Sequence, residues 1–179
     1  MKKFFMTIVA IMIAVCANAQ FYVGGNVGLA SVSSGDDDET YYSFLPEVGY
    51  NLNRNLSLGI AFGWSKGDLG VAGGNLYTSG SAKSFEVNPY VRYTFLHSKV
   101  VEVFFDGTFG YKDYDGDGNT VSLGIKPGVA LNFNQHFALV SHIGFVGWQQ
   151  TSMDNHKDVD VWGVALDGNN ITLGVKYTF

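Results

Sequence analysis

The side chains best suited to bind a metal ion lie at residues 113–119, where three Asp residues alternate with Tyr and Gly. Carboxylates in this pattern resemble the start of a calcium-binding loop, whose twelfth position is a bidentate Glu. Gly124 occupies that position here, so an acidic hairpin tip is the simpler interpretation. We therefore predict no specific metal site. Weak association of divalent cations with this segment or with residues 36–39 is the alternative.

Hydrolytic chemistry would need an activated hydroxyl, and Ser141 beside His142 is the pair to consider. Neighbouring residues of a strand point to opposite faces, so these two cannot act together. The sequence contains no G-x-S-x-G motif, and His97, His136, His142 and His156 lack the spacing of metal ligands. We predict that the protein is not an enzyme and uses no cofactor. A lipid-modifying enzyme, with Ser, His and a carboxylate converging on an outer rim, stays as a third alternative.

The elements that position these side chains are indicated by alternation of apolar residues with small or polar ones. In residues 171–179 every odd position is apolar or aromatic, while the even positions hold Thr, Gly or Lys. Residues 56–64 repeat the pattern, which is typical of a strand with one apolar face. Eight strands are predicted in all, at about 21–30, 41–52, 56–65, 82–96, 100–112, 120–133, 137–148 and 170–179.

The connections between these strands alternate in length. Tight turns are predicted at residues 53–55, 97–99 and 134–136. Longer polar loops are predicted at residues 31–39, 66–80, 113–119 and 149–169. Short turns on one side and long loops on the other are typical of a membrane barrel. We therefore predict an all-β fold, an eight-stranded antiparallel up-and-down transmembrane β-barrel with both termini at the turn side.

A heptapeptide repeats in every second strand. PEVGYNL, PYVRYTF and PGVALNF begin at Pro46, Pro89 and Pro127, and residues 173–179 match them except for the proline. The repeating unit is therefore a hairpin of about 40 residues. Proline lacks the N–H that a strand ladder uses, so we expect a bulge or a local loss of pairing at all three positions.

The N-terminal segment has the organisation of an export signal. Residues 1–19 contain two lysines, an apolar run and the small residues Ala-Asn-Ala at 17–19. We predict a cleaved signal peptide at 1–19, followed by a single domain at 20–179. The one cysteine, Cys16, would leave with the signal, so no disulfide framework is expected. A formal net charge of −5 without a basic block excludes a nucleic-acid partner.

The charged residues of the strands lie on the small or polar face. Alternation alone fits a membrane barrel or a soluble barrel whose apolar face points inward. Each Lys or Arg would cost about 2–4 kcal/mol in hydrocarbon near the midplane, so we place the charges inside, where acids and bases should pair. Aromatic residues near both strand ends also favour a membrane. The predicted interior network comprises Glu47, Glu86, Arg92, Glu102, Asp106, Lys126 and Lys176, with His142 on the same face.

Hairpin symmetry predicts two ion pairs within this network. Centring the turn-side hairpin on His97 places Arg92 opposite Glu102. The same arithmetic on the next hairpin places Asp106 opposite Lys126. A bulge in either hairpin would change its register.

The last residues carry a recognisable pattern. Thr172, Gly174, Tyr177 and Phe179 resemble the C-terminal assembly signal of bacterial outer-membrane barrels. The chain resembles the small OmpA/OmpX-like outer-membrane β-barrel family over essentially all of residues 20–179. The resemblance implies location in the bacterial outer membrane, contact with its lipid, and insertion by the barrel assembly machinery, which recognises the last strand. The peptidoglycan-binding domain of longer OmpA-type proteins is not expected here.

From this we expect an integral outer-membrane protein with a role in envelope structure and surface contact or adhesion. Its interior would be filled by polar and charged side chains, and the loops would make any extracellular protein contacts. Apolar residues such as Val159, Trp162 and Leu166 indicate strands that extend beyond the bilayer, where an edge can bind another protein by strand addition. The alternative is a narrow porin-like pore for ions or small solutes.

Overall fold

A computed structural model of the chain describes residues 20–34, 37–66, 83–115, 118–152, 158–166 and 171–179. Within these ranges no helix is long and apolar enough to cross a membrane. The predicted signal peptide at 1–19 lies outside the described residues, and so does nearly all of the predicted loop at 66–80.

The described chain is built from ten strand segments joined in antiparallel fashion. They are β1 (Phe21–Ser34), β2 (Asp37–Asn51), β3 (Leu56–Lys66), β4 (Lys83–His97), β5 (Val101–Tyr114), β6 (Gly118–Asn132), β7 (Phe137–Ile143), β8 (Phe145–Ser152), β9 (Val159–Ala165) and β10 (Ile171–Thr178).

Two strands of the barrel each consist of two segments. β7 and β8 form one of them, because both pair with β6. β9 and β10 form the other, because β10 pairs with β7 and β9 pairs with β8. Pairing of β5 with β6 and of β1 with β10 closes the ring. The fold is therefore the predicted eight-stranded antiparallel barrel. The side of the barrel that holds the tight turns, where β1 begins and β10 ends, is called the turn end below. The opposite side is called the loop end.

Gly144 lies between β7 and β8, where the inward-facing positions change from even-numbered to odd-numbered residues. Its φ of 81° lies in the left-handed region, which glycine adopts without a Cβ clash. His142 before it and Phe145 after it both point inward and are buried, although they are three residues apart. The alternation therefore shifts by one residue, as a β-bulge requires. The shift keeps the apolar face of β8 on the outside.

The prolines interrupt the ladder in the way the sequence predicts. Pro46, Pro89 and Pro127 each pair with the preceding barrel strand, at Gly25, Ile60 and Phe105. On the other side, each proline and the residue before it have no paired residue on the following strand. The predicted local loss of pairing is thus confirmed.

The outward face of the wall is apolar. Leu58 and Val175 are 43% and 57% exposed, whereas Arg92 is only 3% exposed. This orientation is the one that a membrane barrel requires, and it excludes a soluble barrel with an apolar interior. Exposed aromatic residues occur near both ends, with Tyr93, Phe95 and Phe133 toward the turn end and Trp64, Phe85 and Trp162 toward the loop end.

The loop end contains more strand than predicted. The β1–β2 hairpin replaces most of the predicted loop at 31–39, and the β5–β6 hairpin most of the loop at 113–119. β8 and β9 occupy much of the predicted loop at 149–169. These loops were predicted too long because polar residues hide the strand signal where both faces of a strand are in water.

Ring closure is limited to the turn half of the wall. β10 pairs with β1 over residues 22–26. Beyond that point, within the described residues, β1 pairs with β2 alone and β9 with β8 alone. Among the described residues, the loop half therefore carries two strand edges without a ladder partner, one on β1 and one on β9.

Candidate functional site

The interior of the barrel is polar at almost every level. In β4 each alternate residue from Ser84 to Thr94 is buried, and the other strands show the same inward pattern. The predicted network residues Glu47, Glu86, Arg92, Asp106 and Lys126 are all buried in this interior, with 1–5% exposure. Glu102 and Lys176 lie closer to the turn end, with side chains 25% and 14% exposed.

The strongest ion pair joins Arg92 on β4 to Asp106 on β5. Arg92 Nε donates to Asp106 Oδ1 and Arg92 Nη2 donates to Oδ2, both at 2.8 Å. Such a bidentate, charge-assisted pair holds both side chains in one orientation. The guanidinium also stacks on the Phe104 ring, 4.1 Å from its centroid.

The prediction that Arg92 faces Glu102 is wrong. Arg92 lies opposite Asp106, and Glu102 lies opposite His97. Strand β4 continues through His97, so the turn is centred beyond the residue chosen for the symmetry axis. A β-bulge between Thr94 and Leu96 then shifts the register again.

The second register prediction is confirmed, because Asp106 and Lys126 are directly opposite on β5 and β6. The hydrogen bonds of the Asp106 carboxylate nevertheless go to other partners, Arg92 and His142. Glu86 lies opposite Lys112, six residues further toward the loop end along each strand. Buried acids and bases therefore alternate along the interior, as the cost of a lone buried charge requires.

His142 joins two strands to this carboxylate. Its Nε2 lies 2.8 Å from Asp106 Oδ2, and its Nδ1 lies 3.1 Å from Thr172 Oγ1. Hydroxyl, imidazole and carboxylate thus stand in the order of a nucleophilic triad. The cavity beside them measures only about 20 Å³. That space is the size of one water molecule. The three side chains form a clamp that links β5, β7 and β10.

This clamp was not predicted from the sequence, and neither was a second one built from tyrosines. Tyr22 Oη lies 2.9 Å from Tyr90 Oη, and Tyr90 donates to Glu47 Oε2 at 3.0 Å. Both tyrosines occupy inward positions of their strands, which was the available signal. Thr172 was identified only as part of the C-terminal pattern. Its contact with His142 depends on the pairing of β10 with β7.

Two cavities in the described part of the interior lie next to the Arg92–Asp106 ion pair. A wide polar cavity of about 880 Å³, here called the vestibule, opens at the turn end and is lined by residues that include Tyr22, Arg92, Glu102 and Lys176. The cavity of about 20 Å³ lies deeper and is lined by Asp106 among others. Arg92 lines the first cavity and its partner Asp106 lines the second. Their ion pair therefore stands between the two.

The remaining predicted residues lie on β10 and the segment after it. Thr172 and Gly174 face inward and are buried. Tyr177 packs on Phe179 and on Phe137, with ring centroids 5.1 and 5.0 Å apart. The C-terminal residues thus take part in an aromatic cluster at the turn end.

A metal site is not formed by the residues that the structure describes, since no three His, Cys, Asp or Glu side chains come close enough to share an ion. Part of the acidic segment at 113–119 lies outside those residues, and so does Asp36.

Comparison with known proteins identifies the architecture. The model of a family described as outer membrane protein beta-barrel domain matches residues 5–179. Neisserial surface protein A is similar in structure, with a TM-score of 0.54 and 17% identity, over 89% of this chain and 97% of that one. The attachment invasion locus protein Ail of Yersinia pestis gives a TM-score of 0.44 at 12% identity, over 89% of this chain and 97% of that one. No curated protein matches the sequence.

Proposed function

We propose that this chain, which belongs to the outer membrane protein beta-barrel domain family, supports envelope structure and surface contact as a barrel that does not conduct ions. Proteins of this family reside in the bacterial outer membrane, and this chain does so too. The observation that carries the proposal is the Arg92–Asp106 ion pair between the two cavities of the interior. An eight-stranded barrel is only wide enough for its side chains to fill it.

A narrow porin-like pore is the second candidate, and the vestibule favours it because its volume of about 880 Å³ admits ions from the turn end. Passage further inward would require the Arg92–Asp106 pair to open. Breaking a buried ion pair costs about 3–5 kcal/mol, which makes an open state rare without a gating signal.

Conductance in planar bilayers separates these two functions. The refolded wild-type barrel is expected to give no discrete openings. A variant carrying both Arg92→Ser and Asp106→Ser removes the pair without leaving a lone charge, and steady small openings are expected from it. The matched control, Ser65→Ala with Ser84→Ala, changes two other inward residues that bond each other at 3.0 Å, and it should stay closed. Steady openings of the wild type would overturn the non-conducting assignment.

Surface contact is supported by the length of the strands. β2, β4 and β6 each contain 15 residues. A tilted strand needs about 9–11 residues to cross the bilayer, so about four residues, or roughly 13 Å, extend beyond it. The Val159 end of β9 belongs to this extended part. The outer edge of β9 has no strand partner among the described residues, and such edges can accept another strand. The loops at 31–39, 66–80, 113–119 and 149–169 stay our candidates for extracellular contacts.

Attachment of cells that display the barrel tests the contact role. Val159 near the end of β9 is 38% exposed. Val159→Lys places a charge on the edge. It should reduce the aggregation of the cells, measured by their sedimentation, and their attachment to epithelial monolayers. Val159→Thr keeps the size and strand preference without a charge and serves as the control. Equal attachment by wild type, V159K and cells without the barrel would contradict the role.

Insertion by the barrel assembly machinery through Thr172, Gly174, Tyr177 and Phe179 is also our proposal. Its support is the aromatic cluster that Tyr177 and Phe179 form at the outer turn end. Phe179→Ser should lower the amount of folded barrel in cells but leave refolding in vitro unchanged. A loss of refolding in vitro would instead assign these residues to stability.

A further inference from the structure

We infer that a pocket on the outer wall at the loop end binds the headgroup of an outer-leaflet lipid that carries a primary amine beside its phosphate. The pocket, here called the wall pocket, has a volume of about 270 Å³. Its lining combines three aromatic residues with one base and two acids. These are Tyr42, Trp64, Phe85, Lys83, Asp113 and Asp115.

The aromatic residues place the wall pocket at the surface of the membrane. Trp64 and Phe85 are cross-strand partners on β3 and β4, and their ring centroids are 5.4 Å apart. Both face outward, with 52% and 38% exposure. Outward aromatic residues at the strand ends of membrane barrels lie at the level of the lipid headgroups. Lys83 is two residues beyond Phe85 on the same face, so it lies further toward the water.

The charges at this level are sorted by sign across the strands. Asp113 is the cross-strand partner of Phe85, and the backbone N–H of Asp115 donates to the Lys83 carbonyl oxygen at 2.9 Å. The two carboxylates therefore belong to the β5 side of the pocket. Lys83 on β4 has Lys66 on β3 as its cross-strand partner, so the opposite side is positive. Neighbouring strands are about 4.8 Å apart, which sets the separation of the two signs.

This arrangement matches a zwitterionic headgroup. A primary ammonium has three donors, which the carboxylates of Asp113 and Asp115 can accept, and a cation is also attracted to an aromatic face. The phosphate of the same headgroup accepts charge-assisted hydrogen bonds from the lysine side. The acyl chains then lie beside Trp64 and Phe85. A purely anionic headgroup would place its charge next to two carboxylates, which repel it.

Quenching of Trp64 fluorescence by brominated lipid tests the inference. The chain has three tryptophans, so Trp148→Phe with Trp162→Phe leaves Trp64 as the one tryptophan. This barrel is refolded into vesicles of equal parts phosphatidylethanolamine and phosphatidylglycerol, with bromine on the acyl chains of one lipid or of the other. The two kinds of vesicle differ only in which lipid quenches. Trp64 should be quenched more by brominated phosphatidylethanolamine, with a relative affinity about two- to fivefold in its favour, as exposed ion pairs provide.

A further variant assigns the preference to the carboxylates. Asp113→Asn with Asp115→Asn, in the barrel that keeps Trp64, should remove or reverse the preference for phosphatidylethanolamine. The matched control keeps Trp148 instead, through Trp64→Phe with Trp162→Phe, because Trp148 faces outward on β8 in another part of the wall. Trp148 should be quenched equally in both kinds of vesicle.

Three outcomes would overturn the inference. They are equal quenching of Trp64 in both kinds of vesicle, stronger quenching by brominated phosphatidylglycerol, and an equal preference at Trp148. Each variant is first checked for folding by its heat-modifiable migration. Lipid preference is measured without conductance or cell attachment, so the inference and the proposed function can fail separately.

Discussion

The ring of Tyr22 on β1 lies directly over the backbone of Gly49, its cross-strand partner on β2. A Cβ at position 49 would overlap the Tyr22 ring, so the glycine is required by close packing and not by its backbone angles. Tyr90 covers Gly59 and Phe104 covers Gly128 in the same way. Cross-strand pairs of an aromatic residue and a glycine therefore build the middle of the interior, where the aromatic ring takes the space that the missing side chain leaves.

The first prediction follows from this contact. Gly49→Ala should lower the free energy of unfolding by about 1–3 kcal/mol, because the Tyr22 ring must move and its bond to Tyr90 weakens. Urea unfolding in lipid vesicles, followed by tryptophan fluorescence, measures the loss. The control is Gly107→Ala, since the nearest atom to its new Cβ is the Val91 carbonyl oxygen at 3.9 Å. Equal losses in G49A and G107A would contradict the packing argument.

The second prediction concerns the ion pair that separates the cavities. Removing one partner, as in Asp106→Asn, leaves the Arg92 charge buried and should cost about 3–5 kcal/mol of unfolding free energy. Arg92→Met combined with Asp106→Leu should cost less than D106N alone, since no lone charge is left. The same urea experiment measures both. Glu102→Gln, at a partly exposed carboxylate whose ion pair is long, should cost less than about 1 kcal/mol. A double variant with a lower free energy of unfolding than D106N would contradict this explanation.

Much of this fold could be predicted from alternation alone. Leu58 and Val175 were placed outward and Arg92 and Asp106 inward, because side-chain direction in a strand follows directly from residue parity. The three prolines could be assigned to gaps in the ladder, because proline lacks the N–H.

The partner of Arg92 could not be predicted in the same way. Register depends on where the turn is centred and on the bulge between Thr94 and Leu96, and neither has a signal in the composition of β4. The contacts of His142 depend on three strands meeting across the interior. Such contacts arise from closure of the ring, which is a property of the whole chain.

The third prediction tests which face meets lipid. Ile125 lies in the middle of β6, points outward and is 51% exposed. Ile125→Lys should therefore cost about 2–4 kcal/mol when the barrel folds into a bilayer. Thr94→Lys introduces the same side chain on an inward residue that lines the vestibule, and its cost should be clearly smaller. Folding titrations in vesicles measure both, and the reverse order would show that the apolar face does not contact lipid.

The fourth prediction concerns the bulge that keeps β8 in phase with the rest of the wall. Gly144 has a φ of 81°, where an L-residue is strained, and a Cβ there would lie 2.7 Å from the Ala165 carbonyl oxygen. Gly144→Ala should therefore lower the free energy of unfolding by about 1–3 kcal/mol, through backbone strain and through the clash with the end of β9. Deleting Gly144 removes the extra residue of the bulge, so that Phe145 follows Ile143 in regular alternation and Trp148 stays outward. The deletion should therefore cost no more than G144A. The readouts are the urea midpoint for G144A and the yield of heat-modifiable barrel for the deletion. A deletion variant that folds far less well than G144A would show that the extra residue is needed to keep the outward face of β8.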